Sequence, residues 1–524
     1  MNTELPFFRA LFSNDTTNIV SCVSPYHQQG ERFQAAMLEA SVDETANTGI
    51  DVHMFQPGVT VVPWWKSNQY PYRQHIEWYE STYKVKVSDN LYVQYMLEGG
   101  DMVEVFVARC RKKGLTPFIS LRMNDAHGKE FVNGAAKSEI PEIPGFAVHC
   151  LNRFYYEHPE YRIDPNPGKE NWSTRVLNWA IRPVRDWMFG FIEEICEGYD
   201  IGGLELDFMR HPNYFRLEET PLEERRAIMT EFVGRVRKLL DRTTPPGGRR
   251  FLGARLPCYL EAYDVIGMDL NALEAAGLDM VNVSPFYYTV QQTDFARLRK
   301  SAPNAMFYLE QCHTNEMGPH IRAGYDTFQY RRTTPQQYYT TSYYAYCRGA
   351  AGVSLFNFAY YRRHGADEAG PFSEPPFHAF KGMSDRPWLA TQPQHWILTP
   401  GWSDPFRQYH PLPWGANPGG KRTFTLDLAP PLGGWKNRGR LRIQASGDLG
   451  TSKWFAAING HELVETADRS EPYENPYPSM LETPAQYRAW WVPAPLLLDG
   501  ENEVTIARPY EDNAYTIHYL DLAI

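Results

Sequence analysis

The stretch GGLELDFMRHP, residues 202–212, alternates apolar and acidic side chains, and it decides how we interpret the fold. In an extended segment its leucines and phenylalanine share one face, while Glu205 and Asp207 share the other. Carboxylates in such an apolar run are costly to bury unless they are paired or functional. The pattern therefore predicts a strand that packs under helices on one face and points acids into a barrel on the other.

Seven further β-type runs accompany this segment, and helical stretches separate most of them. The predicted strands are IVSCVSP (19–25), IDVHMFQ (50–56), TPFISLRM (116–123), GLELDFM (203–209), FLGARLP (251–257), MVNVSPF (280–286), MFYLEQC (306–312) and GVSLFNF (352–358). Helices are predicted over 102–114, 182–199 and 223–240. This alternation predicts a (β/α)8 TIM barrel over residues 1–390. A doubly wound open sheet is the alternative, although no glycine-rich phosphate loop follows the first strand.

The pattern changes after the barrel region to short alternating strands broken by Gly, Pro and Asn. Examples are KRTFTLDLAP (421–430), GRLRIQASG (439–447) and NEVTIARP (502–509). We find no convincing helix among them. Residues 391–524 are therefore predicted to form a C-terminal all-β sandwich of the jelly-roll type.

The composition of the chain limits the kinds of binding partner and compartment that we expect. A formal charge of −10 argues against nucleic acid or an anionic membrane surface as the main partner. No run of 18 apolar residues occurs, so no membrane span is predicted. The seven cysteines show no CxxC and no zinc spacing, which favours free thiols and a cytoplasmic protein, or a secreted or periplasmic one if a leader has been removed. We expect no cofactor and no metal; a homo-oligomer is compatible with the sequence.

The same alternation, applied to the other strands, puts a set of polar side chains inside the barrel. The inward set is His53, Arg122, Asn124, Glu205, Asp207, Arg255, Asn282, Ser284 and Glu310. Most of them lie near the C-terminal ends of their strands, where barrel enzymes carry their active sites. The structural alternative is a buried ion network of Glu205 with Arg122 or Arg255 that sets strand register.

This set favours glycoside hydrolysis, which needs two carboxyl groups on opposite sides of the scissile bond. Asp207 and Glu310 come from the fourth and seventh predicted strands and are the predicted catalytic pair. The sequence shows no HxH motif of a metal-dependent barrel on the first predicted strand, no GxSxG elbow of a serine nucleophile and no inward lysine for Schiff-base chemistry. The predicted substrate contacts are His53, Trp64, Arg122, Asn124, Glu205, Arg210, Arg255, Tyr287, His313 and Asn357. For Arg210 we prefer a charge-assisted bond that holds Asp207.

Several segments resemble the glycosyl-hydrolase-like family 10 barrels and their relatives. They are GGLELDFMRHP, NRFYYEHPEYRI (152–163), the helix within 178–203, and the strands GARLP and MVNVSP, in the same order over roughly residues 15–380. The resemblance implies a (β/α)8 glycosidase fold with a C-terminal β-sandwich. It also implies an acid/base on strand four and a nucleophile on strand seven, here Asp207 and Glu310, with retention of configuration. The usual strand-four acid is Glu preceded by Asn, whereas here it is Asp preceded by Leu206.

Two further interpretations remain open at this stage. A non-catalytic carbohydrate-binding barrel would keep its ligand affinity when Asp207 is neutralised. A barrel lyase or isomerase would release products that contain no solvent oxygen. The prediction is a glycoside hydrolase that acts on an oligo- or polysaccharide, with Glu205 tuning the pKa of its neighbour.

Overall fold

A computed structural model of the chain contains the predicted barrel. It describes residues 8–15, 19, 24–28, 31–58, 62–132, 147–166, 172–320, 328–363, 373–400, 407–446, 449–475, 486–510 and 513–524. The barrel strands are β1 (Ala10–Asp15), β2 (Val52–Gln56), β3 (Thr116–Arg122), β4 (Gly203–Asp207), β5 (Phe251–Pro257), β6 (Met280–Ser284), β7 (Met306–Cys312) and β10 (Gly352–Phe356). They close in the order β1-β10-β7-β6-β5-β4-β3-β2. The (β/α)8 prediction is confirmed.

The first strand lies earlier than predicted. The prediction for 19–25 is wrong, because β1 is formed by ALFSND, where Leu11 pairs with Val52 and Asp15 pairs with Gln56; residues 20–23 lie outside the described residues. ALFSND ends in three polar residues, so its local pattern carries little strand signal. Its position depends on pairing with β2 instead. The other seven predicted strands are confirmed to within two residues at each end.

Strand β2 presents the opposite face from the one predicted. Gln56 points into the barrel, where its Nε2 donates to Asp207. His53, three residues earlier, points outward, and its Nδ1 lies 3.1 Å from Oγ1 of Thr45. The inward prediction for His53 is therefore wrong. Every residue of β2 is buried, and one polar residue lies on each face, His53 on one and Gln56 on the other, so alternation does not define the orientation of the strand.

Helices connect most of the barrel strands. The described helices are α1 (Ala35–Asp43), α2 (Tyr72–Tyr83), α3 (Leu91–Leu97), α4 (Met102–Lys113), α5 (Arg153–Glu157), α6 (Arg182–Gly198), α7 (Leu222–Thr243), α8 (Tyr263–Ile266), α9 (Leu270–Ala275), α10 (Phe295–Ser301), α11 (Pro335–Cys347), α12 (Phe377–Met383) and α13 (Arg386–Leu389). Their ends follow local signals: Asp101 caps α4, and Gly114 follows it with a φ of 74°. The three predicted helices are confirmed as α4, α6 and α7.

Short 3-10 helices complete the helical inventory of the described residues. They are Lys129–Phe131, Pro159–Tyr161, Trp172–Thr174, Leu260–Ala262, Phe358–Tyr361, Arg407–Tyr409 and Ala494–Leu496. Three of them, Lys129–Phe131, Leu260–Ala262 and Phe358–Tyr361, follow the barrel strands β3, β5 and β10 within ten residues.

Aromatic side chains fill the N-terminal end of the barrel. The ring of Phe8 lies 6.0 Å from that of Phe118 and 5.1 Å from that of Phe251. The hydroxyl of Tyr308 donates to the carbonyl of Phe8 at 3.0 Å. Because these rings occupy the N-terminal end, the polar side chains inside the barrel lie nearer the C-terminal ends of the strands. In barrel enzymes this is the end that carries the catalytic groups.

The remaining strands form antiparallel sheets. A hairpin pairs β8 (Thr314–His320) with β9 (Phe328–Arg332). The C-terminal strands are β11 (His395–Leu398), β12 (Trp414–Ala416), β13 (Lys421–Leu428), β14 (Gly439–Ser446), β15 (Phe455–Ile458), β16 (His461–Glu462), β17 (Val464–Thr466), β18 (Gln486–Val492), β19 (Gly500–Ala507) and β20 (Tyr515–Ala523). One sheet has the order β11-β20-β14-β18-β17, with β12 on β20, and the other has the order β13-β19-β15-β16. The predicted all-β character is confirmed, and the boundary at residue 390 stays a prediction.

The chain divides into two compact units. The first contains Met1–Ser284, Arg297–Tyr308 and Arg362–Ala366. The second contains Pro285–Ala296, Leu309–Tyr361 and Asp367–Ile524. Among the helices that the structure describes, none is long and apolar enough to cross a membrane.

Candidate active site

Asp207, at the end of β4, is the centre of a buried cluster in the first compact unit. Its exposed fraction is 0%. Nε2 of Gln56 donates to Oδ2 at 3.0 Å, and the backbone N–H groups of Met209 and Arg210 donate to Oδ1 at 2.9 and 3.1 Å. Nη1 of Arg255 lies 3.2 Å from both carboxylate oxygens. Each of these groups can only donate, so both oxygens of Asp207 act as acceptors.

A second ion cluster surrounds Arg122, the last residue of β3. Its guanidinium forms an ion pair with Asp15 through Nη2, and Nη1 donates to Oδ2 of Asp125 at 2.9 Å. Nε donates to Oε1 of Gln56 at 3.2 Å. Gln56 therefore joins the two clusters, because its oxygen accepts from Arg122 while its nitrogen donates to Asp207. These contacts fix the orientation of the Gln56 amide.

Glu205 lies two residues before Asp207 on the same face of β4, and its hydrogen-bond partners are neutral. Oγ of Ser120 donates to Oε1 at 2.7 Å, and Nδ2 of Asn282 donates to Oε2 at 3.0 Å. Burial, followed by the negative charge of Asp207, raises the pKa of Glu205 from 4.5 to about 7. One carboxylate therefore raises the pKa of the other, as expected, and the group whose pKa is raised is Glu205, which retains its proton toward neutral pH.

The arginines have different partners from those predicted. Among the described contacts, Arg210 reaches Asp207 through its backbone N–H and directs its guanidinium to His127, whereas Arg255 supplies the ion pair of Asp207. Arg122 pairs with aspartates and not with Glu205. The alternative of a buried ion network is therefore right in kind, but its predicted pairing with Glu205 is wrong. Pairing with aspartates offsets the cost of burying the guanidinium groups of Arg122 and Arg255.

The loops after β3 and β4 bring two histidines together. Nδ1 of His127 lies 2.6 Å from Oδ1 of Asp125, and Nη2 of Arg210 lies 2.8 Å from Nε2 of His127. Since a guanidinium can only donate, Nε2 accepts and Nδ1 donates to Asp125. Nδ1 of His211 accepts from the backbone N–H of Ala126 at 3.1 Å, and burial lowers the pKa of His211 well below its usual value. His211 also has a φ of 55°, a conformation that costs a non-glycine residue about 1–2 kcal/mol.

Asp125, His127 and His211 place three metal-capable atoms within 4.8 Å of one another. Two guanidinium groups contact this set: Arg122 binds Asp125, and Arg210 binds His127. The Asp125 Oδ1 to His127 Nδ1 separation of 2.6 Å is a hydrogen-bond distance, whereas two ligands of a tetrahedral zinc lie about 3.3 Å apart. We therefore interpret this set as a hydrogen-bonded clamp between the two loops.

Two predicted substrate contacts serve in packing. Trp64 is 1% exposed, and its ring lies 4.8 Å from that of His149, so it offers no open face to a sugar. The prediction of stacking by Trp64 is wrong, because this part of its loop is interior. Nδ2 of Asn124 donates to the carbonyls of Leu177 and Asn213, both at 2.9 Å. Its amide thus fastens two loops together.

The remaining predicted residues belong to the second compact unit. Glu310 and His313 are 0% and 1% exposed, and burial lowers the pKa of His313 well below its usual value. Alternation places Glu310 on the same face of β7 as Tyr308, whose hydroxyl reaches the aromatic base of the barrel. Asn357 is buried with a φ of 60°, and Tyr287 is half-buried. Their roles in catalysis or binding stay predictions.

Sequence reasoning missed three members of the clusters: Asp15, Gln56 and Asp125. Asp15 lies in a strand whose sequence shows no clear alternation of polar and apolar residues. Gln56 was missed because the face of β2 that points into the barrel is the opposite of the predicted one. Asp125 follows β3 by three residues, and that position was a usable signal, since polar residues just after a barrel strand face the site.

No protein family matches the sequence, and no curated protein is similar to it in sequence. Several solved structures are distantly similar. A cycloisomaltooligosaccharide glucanotransferase from Paenibacillus sp. has 10% identity and a TM-score of 0.32, with 98% of this chain and 57% of that chain covered. The PgaB (BpsB) glycoside hydrolase domain from Bordetella bronchiseptica has 10% identity and a TM-score of 0.39, with 68% of this chain and 95% of that chain covered. A beta-galactosidase from Halorubrum lacusprofundi has 11% identity and a TM-score of 0.41, with 73% of this chain and 58% of that chain covered.

This chain thus spans less than two thirds of the glucanotransferase and of the beta-galactosidase. With TM-scores below 0.5, these similarities carry no argument about activity. The barrel is established by the strand pairing of the chain itself, and the resemblance to the glycosyl-hydrolase-like family 10 barrels stays a prediction.

Proposed function

We propose that the chain is an enzyme that hydrolyses O-glycosidic bonds of an oligo- or polysaccharide with carboxyl groups of the barrel. The supporting observation is that the two carboxyl groups on β4 differ in their surroundings, which we call the divided carboxyl pair: Glu205 has a pKa near 7, while Asp207 is ion-paired with Arg255. A carboxyl group that keeps its proton toward neutral pH, beside one held in an ion pair, is a pattern of acid/base sites. Their strand also ends where barrel enzymes place their chemistry.

In this proposal Asp207 is a catalytic carboxyl group and Glu205 sets its electrostatic surroundings. The partner carboxyl group is the one suggested by the sequence, Glu310, and the reaction retains the anomeric configuration. Five hydrogen-bond contacts hold Asp207, so its orientation is fixed before any substrate arrives. Such preorganisation is what a group that acts on a transition state requires.

The deciding experiment compares wild type, Asp207→Asn and Glu310→Gln on a broad glycan panel that includes uronic and sulfated sugars, with released sugar as the readout. We expect turnover by wild type and a loss of about 100-fold or more in each variant. Asp89→Asn is the matched control, because Asp89 is largely exposed and its described ion pair is the one with Lys86. Melting temperatures establish that each variant is folded. Activity in Asp207→Asn equal to that of the control would exclude Asp207 as catalytic.

The stereochemical part of the proposal has its own test. Proton NMR of the first product formed from an active substrate gives its anomeric configuration. Retention is expected if two carboxyl groups act as nucleophile and acid/base. A product of inverted configuration would remove the nucleophilic role from Glu310.

A non-catalytic carbohydrate-binding barrel is the second candidate, and one observation favours it. Asp207 is 0% exposed and both of its oxygens accept from Arg255, as expected for a buried structural ion pair. This alternative predicts glycan binding without released sugar. Calorimetry on the same panel distinguishes the two, since binding that persists in Asp207→Asn without wild-type turnover supports the binding protein.

A further inference from the structure

The hairpin β8–β9 follows the strand that carries Glu310. Its first residue, Thr314, comes two residues after the end of β7, and Oγ1 of Thr314 donates to the carbonyl of Arg331 on β9 at 2.7 Å. Such a loop, at the C-terminal end of a barrel strand, is where barrel enzymes build their sites. All contacts of the hairpin described below lie within the second compact unit.

The backbone that enters the hairpin is fixed at Cys312. Its carbonyl accepts hydrogen bonds from Oγ1 of Thr289 at 2.8 Å, Oγ1 of Thr333 at 3.1 Å and the hydroxyl of Tyr338 at 3.1 Å. All of these groups are buried. Three donors on one carbonyl define the direction of the chain two residues after Glu310.

Arg331 connects the hairpin to the C-terminal sheet that contains β14, β18 and β20. Gln444 on β14 pairs in register with Tyr487 on β18 and with Tyr519 on β20, so these three side chains form a row across the sheet. Nη1 of Arg331 donates to Oε1 of Gln444 at 2.8 Å and to the Tyr487 hydroxyl. Its guanidinium carbon lies 4.3 Å from the centre of the Tyr519 ring, a cation–π contact.

A second connection reaches the same row. Nδ2 of Asn315, on β8, donates to Oε1 of Gln337 at 2.7 Å, and Nε2 of Gln337 donates to the Tyr519 hydroxyl at 2.8 Å. Tyr519 therefore contacts both strands of the hairpin, one through its ring and the other through its hydroxyl and Gln337. Arg331 itself is 8% exposed, so its bonds are made largely out of contact with water.

We propose that the C-terminal sheet positions the β8–β9 hairpin, and with it the end of β7, through Arg331 as the positioning residue. The planar guanidinium donates to Gln444, to Tyr487 and, at 3.4 Å, to the carboxylate of Glu471, and an aromatic ring lies against its face, a combination that lysine cannot reproduce. The all-β region thereby acts on the barrel loop directly. The role assigned to the end of β7 rests on the proposed hydrolase function, whereas the positioning of the hairpin does not.

Hydrogen exchange measured by mass spectrometry on the full chain tests the positioning. In Arg331→Met we expect amides of Thr314–His320 and Phe328–Arg332 to exchange about tenfold or more faster, because their local opening loses charged hydrogen bonds. Arg331→Lys should recover only part of the protection. Arg488→Met is the matched control, since Arg488 is 5% exposed and its described hydrogen bonds go to the carbonyls of Leu449, Gly450 and Ser452.

Unchanged exchange in the hairpin of Arg331→Met, or an equal increase in the Arg488→Met control, would overturn the proposal. If Arg331→Met does not fold, Tyr487→Phe is the milder variant. It removes one acceptor of Arg331, and we expect about threefold faster exchange in the hairpin alone; unaltered exchange there would equally count against the positioning.

Kinetics form the second readout once a hydrolysed glycan is known. We expect kcat in Arg331→Met to fall at least about tenfold with KM changed less than about threefold, because a displaced end of β7 disturbs the reacting groups more than ground-state binding. A kcat equal to that of Arg488→Met would refute the coupling to β7. The exchange result stands without any substrate, so a failure of the hydrolase proposal is recognisable separately.

Discussion

The pKa of Glu205 leads to a prediction about stability that can be worked through from the structure. An ordinary glutamate has a pKa of 4.5, and burial together with Asp207 raises that of Glu205 to about 7. The folded chain therefore binds this proton more tightly than the unfolded chain does. The resulting stability is fully present below pH 4.5, declines as the pH rises, and is lost above about pH 7. At about 1.4 kcal/mol per pH unit, the difference between 4.5 and about 7 corresponds to about 3 kcal/mol.

Glu205→Gln removes this titration and keeps the size of the side chain. We expect the free energy of unfolding of wild type, minus that of the variant, to fall by about 3 kcal/mol between pH 4.5 and pH 8. Urea unfolding of both proteins at half-unit pH steps measures it. Glu462→Gln is the control, because Glu462 is exposed on β16, and its difference from wild type should stay flat. A flat difference for Glu205→Gln as well would refute the assigned pKa and, with it, the divided carboxyl pair.

The other predictions concern buried contacts. Arg255→Met leaves Asp207 without its ion pair, and we expect a loss of about 3–5 kcal/mol in urea unfolding, with recovery in the double variant Arg255→Met/Asp207→Asn. An unchanged unfolding midpoint would contradict the pairing. Trp64→Ala removes a buried ring and should cost about 3–5 kcal/mol, while any substrate KM is unaffected; a selective rise in KM would restore the stacking role. Asp521→Asn breaks the buried pair with Arg442 in the all-β region and should cost about 3–5 kcal/mol, which calorimetry would record as a lower melting temperature. Zinc added to the metal-free protein should leave the melting temperature unchanged, whereas stabilisation that disappears in His211→Ala would show that the loop clamp binds metal.

The barrel was predictable where sequence contrast was strong. In β4, Leu204 and Leu206 alternate with Glu205 and Asp207, and the structure confirms that the acids meet Ser120, Gln56 and Arg255 inside the barrel. In β2 the alternation of polar and apolar residues did not predict which face points into the barrel, because both faces are buried. In β1 it did not predict the strand itself, because the strand ends in three polar residues.

By itself, the sequence determined the strand–helix alternation, the all-β C-terminal region and the position of the acids on β4, because these depend on periodicity within a few neighbouring residues. Which arginine pairs with which aspartate was decided only by the tertiary structure. Asp15, Arg122 and Asp125 lie on different elements, and strand register and closure of the barrel bring them together. The same is true of the Glu205 pKa, since burial is its largest cause, and burial exists only once the barrel has closed around the side chain.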